Sequence, residues 1–116
     1  MMPRTAAAVA ALLATAAFAG EAPHGATMVS VTLEPGKVHE ACMKLESGER
    51  RRYEWKSSAQ VDFNIHFHQG NDVQYPVKKD AARSWRAGFI AKTTEEYCWM
   101  WTALAKPAKI EGWIGK

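Results

Sequence analysis

The sequence has little of what most catalytic sites are built from. Its 116 residues include two cysteines and three aspartates, Asp62, Asp72 and Asp80. No serine sits in a strand-to-helix elbow, no carboxylates are evidently paired, and no Gly-rich phosphate loop appears. Serine hydrolysis, paired-carboxylate chemistry and nucleotide binding therefore lack their residues, and the expectation is a protein that is not an enzyme. A concentrated basic stripe is missing too. The formal charge is only +3, and Arg50-Arg51-Arg52 lies between Glu46 and Glu49 on one side and Glu54 on the other. That run reads as a solvated strand edge, which excludes nucleic acid as the expected partner.

Long apolar runs are absent beyond the first residues. Met1-Met2-Pro3-Arg4 is a basic start, and the Ala-rich stretch from Ala6 to Phe18 is short for a membrane span and ends in Ala17-Phe18-Ala19, a small-residue cleavage pattern. Residues 1–19 are expected to be a signal peptide. Residues 20–116 are then a single exported domain, periplasmic or extracellular, with no membrane span of its own.

Helical periodicity is also lacking after the leader, and period two takes its place. Val29, Val31 and Leu33 alternate with polar residues before Glu34-Pro35-Gly36, and Ala41, Met43 and Leu45 do so before Glu46-Ser47-Gly48. Tyr53 and Trp55 alternate before Ser57-Ser58, and Val61, Phe63, Ile65 and Phe67 interleave with Asp62, Asn64, His66 and His68. Further segments run from Val73 to Val77, with Pro76 suggesting an edge, then Trp85 to Ala91, Tyr97 to Thr102 and Ile110 to Ile114. Seven to eight short strands with frequent turns predict an all-β protein, an antiparallel β-sandwich.

Cys42 and Cys98, 56 residues apart, are the only cysteines. An even count in an oxidising compartment points to a disulfide. The alternative is a pair of free thiolates on a soft metal.

Several short motifs in order resemble a GOLD (Golgi dynamics) domain, the luminal β-sandwich of early-secretory-pathway cargo receptors. They are Cys42-Met43, Tyr53-Glu54-Trp55, Val61-Asp62-Phe63-Asn64-Ile65 with the turn Gly70-Asn71-Asp72-Val73, Gly88-Phe89-Ile90-Ala91, and Tyr97-Cys98-Trp99-Met100. The likeness covers residues 38–102. It implies a jelly-roll or GOLD-like sandwich, a Cys42–Cys98 disulfide, and a non-enzymatic module that binds a protein or an envelope ligand. Those receptors continue into a coiled coil, a membrane helix and a tail. This sequence runs to Lys116 and has none of these motifs.

A second expectation comes from the residues themselves. His66 and His68 lie two apart on one strand, so both imidazoles share its polar face and can converge on one metal ion. Met100 stands between Trp99 and Trp101, one of three methionines beyond the leader with Met28 and Met43. Thioether and imidazole suit copper, and an indole can cover a cuprous ion. The alternative expectation is thus a periplasmic copper-binding protein with His66, His68 and Met100 as ligands. Trp99, Trp101 and Asn64 would contact the ligand, and Asp62 with Asn64 would favour zinc or copper(II). His24 reads as a solvated tail residue, and His39 as a satisfied strand-end histidine.

Overall fold

Strands succeed one another through the whole of residues 21–116, which the computed structural model describes. The expected leader lies outside them. The strands are β1 (Thr27–Leu33), β2 (Val38–Leu45), β3 (Arg50–Gln69), β4 (Asp72–Ile90), β5 (Glu95–Ala103) and β6 (Ala108–Gly115). The all-β class holds, but among the described residues the strands number six, because two pairs of expected segments are continuous. Tyr53–Trp55 and Val61–Phe67 are both parts of β3, and the segments beginning at Val73 and Trp85 are both parts of β4. Ser57-Ser58, read as a turn from polarity, stays in the strand. The Ser58 hydroxyl accepts the Lys109 N–H at 2.9 Å, so its polarity is used between strands.

All pairings are antiparallel and belong to one sheet, ordered β1-β6-β3-β5-β2, with β4 on the other edge of β3. This corrects the expected sandwich of two sheets. The long β3 serves two neighbours along one edge: Arg52–Ser57 pairs with β6 and Val61–His66 pairs with β5. Between those stretches it bends. Trp55 and Phe63 would stand about 26 Å apart on a straight strand, yet their ring centroids are 5.2 Å apart. β4 follows the bend through register shifts and through Ala81 at φ 50°, whose N–H donates to Asp62 Oδ1 at 2.9 Å. The sheet therefore curls over its own aromatic face.

That face is the core. Tyr53, Trp55, Val61, Phe63 and Ile65 of β3 meet Trp99 and Trp101 of β5 and Ile110 and Ile114 of β6. Rings pack edge to face, Tyr53 on Trp99 at 5.9 Å and Trp55 on Trp101 at 6.4 Å, the arrangement their quadrupoles favour. Gly112 pairs with Trp55 and leaves room for it. A Cβ there would press on the Glu54 carbonyl oxygen and come within 2.7 Å of Trp55 Cβ. Gly112→Ala should cost about 1–3 kcal/mol, read as a drop of several degrees in the midpoint of thermal melting. An unchanged midpoint would contradict this packing.

Tyr53 gives the fold an alkaline limit. Burial pushes its phenol up to about 12, partly opposed by the hydrogen bond that Trp85 Nε1 donates to its oxygen at 3.1 Å. The folded value lies above the unfolded one. The phenol's contribution to stability is therefore whole below about pH 10 and lost as pH rises from 10 towards 12, by roughly 2–3 kcal/mol at most. Urea midpoints measured across that range should fall less steeply in Tyr53→Phe than in wild type.

Candidate functional site

Alternation along β3 turns Asp62, Asn64, His66 and His68 to the side opposite the aromatic core. Pairing then fixes their neighbours. Asn64 is opposite Met100, which is opposite Glu40, while His66 is opposite Cys98, which is opposite Cys42. Two adjacent rows on this polar face thus contain a carboxylate, a thioether, an amide, an imidazole and two sulfurs. Cys42 and Cys98 are joined by a disulfide, as the cysteine count and the family resemblance implied.

His66 is the best-defined group on this face. It is only 5% exposed. Its Nδ1 donates to Asn64 Oδ1 at 2.7 Å, which leaves Nε2 without a proton on the neutral ring. Nε2 faces Glu40 Oε1 at 3.5 Å. Burial pushes the imidazole below its ordinary value, the Glu40 charge pulls it back up and His68 adds a smaller push down. The neutral ring, favoured by that burial, turns the Nε2 lone pair to the carboxylate. The 3.5 Å separation matches that of two ligand atoms on one ion, which stand about 3.3–3.5 Å apart in tetrahedral to trigonal geometry with bonds of about 2 Å.

The other expected ligands are placed unequally. His68 shares the face but is exposed, its ring 5.5 Å from that of His66 and nearly perpendicular to it. Met100 is half-buried in the row between Glu40 and Asn64. Asn64 orients His66. Asp62 is taken up at the bend, where it accepts the Ala81 N–H. The expected tryptophans need correction: Trp99 and Trp101 flank Met100 in sequence, so alternation sends them to the opposite face. They are 0% and 1% exposed in the core and cannot cover an ion beside Met100. Trp113 is likewise buried and Trp85 half-buried. His39 is stacked on Trp101 at 5.9 Å, a strand histidine packed on the core.

Sequence reasoning missed Glu40 and Tyr75. Glu40 was legible, because period two along His39-Glu40-Ala41-Cys42 puts it on the face of Cys42. Tyr75 lies across the β3–β4 turn, its ring 5.9 Å from that of His66, and only the turn geometry brings it there. Glu40 also approaches the bridge, its carboxylate and both sulfurs lying within 4.8 Å of one another. Joined to each other, those sulfurs offer no thiolate.

A second concavity opens at the mouth of the curl. It is a groove of about 660 Å³ lined chiefly by Phe67, Tyr75, Val77, Phe89, Ile90 and Tyr97. Tyr75 and Ile90 are exposed at its rim. Among the described residues no helix is long and apolar enough to cross a membrane.

No protein-family model matches the chain, and no curated protein matches it. Solved structures match the chain, among them these two. One is PliG of Aeromonas hydrophila, a periplasmic lysozyme inhibitor of g-type lysozyme, with TM-score 0.51 and 12% identity over 77% of this chain and 85% of that one. The other is a de novo designed double-stranded β-helix, with TM-score 0.46 and 16% identity over 76% of this chain and 97% of that one. What this chain has in common with PliG, at that identity, is an all-β fold.

Proposed function

We propose that the protein is an exported, non-catalytic binding module whose polar sheet face holds a copper ion between His66 and Glu40. One observation carries the reading: a buried imidazole is fixed through Nδ1 by Asn64 while its Nε2 faces a carboxylate at 3.5 Å. A metal-binding histidine typically has its other nitrogen tied in this way, which sets tautomer and ring orientation. His68, exposed on the same face, turns in as a further nitrogen donor, and Met100 stands in the next row. Imidazole with carboxylate suits copper(II) or zinc, and the added thioether favours copper.

Metal-free protein with its disulfide intact should take up about one equivalent of Cu2+, with quenching of tryptophan emission because Trp99 and Trp101 lie just behind the site. His66→Gln should weaken uptake by at least about 100-fold, and Asn64→Ala by about 10–100-fold through loss of orientation. Full uptake by folded His66→Gln would remove this site from consideration.

The second reading is the GOLD-like one, a module that docks a protein or an envelope ligand. The apolar groove with Tyr75 and Ile90 exposed at its rim favours it, as does kinship of fold with an inhibitor that acts on another protein. Under this reading Tyr75→Ala abolishes capture of the partner while Cu2+ uptake plays no part in it.

A further inference from the structure

The disulfide lies within the proposed metal site, and that placement bears on the site's chemistry. Cys98 is directly opposite His66 on β3, and Cys42 is directly opposite Cys98 on β2. Glu40, whose carboxylate faces His66, also has its ligand oxygen within 4.8 Å of both sulfurs. Four donor groups of three kinds are therefore gathered on one small patch. Two of them are withheld only by the bond they make to each other. Cys98 is 5% exposed, but Cys42 opens to solvent and gives a reductant access to the bridge.

We propose that reduction of Cys42–Cys98 converts this face into a thiolate site for a thiophilic d10 cation such as the cuprous ion, held by both cysteines, beside which Glu40 lies within 4.8 Å and His66 stands in the same row. The inference rests on the reading of His66 and Glu40 as metal ligands and adds a redox state to it. The step balances as thiol–disulfide exchange with a dithiol reductant. One reductant thiolate attacks the bridge to form a mixed disulfide, and the second displaces it. Two electrons and two protons pass to the protein, which gains two thiols as the reductant closes its own disulfide. Metal binding then releases the two thiol protons. Soft thiolates select Cu(I), whereas the oxidised face, with imidazole and carboxylate, selects a harder divalent ion.

The sheet provides the geometry. β2 and β5 are paired along eight residues from Val38↔Thr102 to Leu45↔Glu95, so the two cysteines stay neighbours once the bond is broken. Two unbonded sulfurs separate to about 3.5–4 Å, the edge of a tetrahedral site with metal–sulfur bonds of about 2.3 Å. Chain-entropy loss on reduction is offset by the metal, because an ion bound to the folded state alone stabilises it.

The test compares oxidised protein with anaerobic, phosphine-reduced protein, both metal-free at the start. Each is offered Cu+ from its bicinchoninate complex and then treated with iodoacetamide. Reduced protein should withdraw one Cu+ at least about 100-fold more effectively than oxidised protein, and both thiols should resist alkylation. Cys98→Ser should lose both effects, and His66→Gln should weaken withdrawal while leaving some thiol protection. Circular dichroism follows the fold. If the reduced, metal-free chain unfolds, Cu+ must restore the spectrum. Equal uptake by the two forms, free alkylation with Cu+ present, or no restoration of an unfolded chain overturns the inference. Failure of the underlying reading is seen separately, as absence of Cu2+ uptake by oxidised protein.

Discussion

Replacing Trp101 with alanine should destabilise the protein by about 3–5 kcal/mol, the cost of emptying a buried indole site. The ring is 1% exposed, with Trp55 edge-on at 6.4 Å, Phe63 at 5.4 Å and His39 stacked at 5.9 Å. These neighbours come from two strands, Phe63 and His39 as the pairing partners of Trp101 and Trp55 through the bend of β3, so the void has no single side chain able to fill it. Chemical denaturation would show the loss as a lower midpoint at unchanged slope. The variant also separates two roles. Below the transition it should still bind Cu2+, because Trp101 faces away from Glu40 and His66. Loss of metal binding with stability intact would return Trp101 to the site.

The second large effect is expected from Cys42→Ala with Cys98→Ala. The bridge closes a separation of 56 residues, for which the chain-entropy model gives about 4 kcal/mol. Small domains have about 5–15 kcal/mol in all, so the double variant should fold at 25 °C with a urea midpoint lower by about 2 M. Strand pairing should survive, since the cysteines occupy one rung of an eight-rung ladder between β2 and β5. A midpoint within 0.3 M, on the order of measurement scatter, would mean that the unfolded chain is already restrained without the bridge.

Much of the fold was legible because a half-buried strand writes its period into the sequence. Val61, Phe63, Ile65 and Phe67 against Asn64, His66 and His68 gave both faces of β3 correctly, and Pro76 lies on β4, whose outer edge has no partner among the described residues. The strand count failed where polarity and conformation part company. Ser57, Ser58 and the run from Lys78 to Ser84 look like turns, yet both lie within strands, the second broken in conformation only at Ala81. The curl was not legible, because it depends on β3 changing neighbours between Ser57 and Val61, a tertiary event with no local sequence signature. Alternation also put His66 and Asn64 on the polar face, where the structure has them. The tryptophans around Met100 were misassigned because nearness in sequence was read as nearness in space, whereas on a strand adjacent residues point apart.

The pairing of β1 with β6 joins the first and last strands of the sheet, from Thr27↔Ile114 to Leu33↔Ala108. β1 has no other partner in the sheet order. A chain emerging from its N-terminus therefore holds β1 without its sheet partner until β6, the last of the described strands, is available. The part of the sheet that carries His66 and Glu40, β2, β3 and β5, is complete in sequence earlier. Closure of β1 onto the sheet thus waits for the pairing most distant in sequence among the described strands, the kind of non-local contact that slows folding.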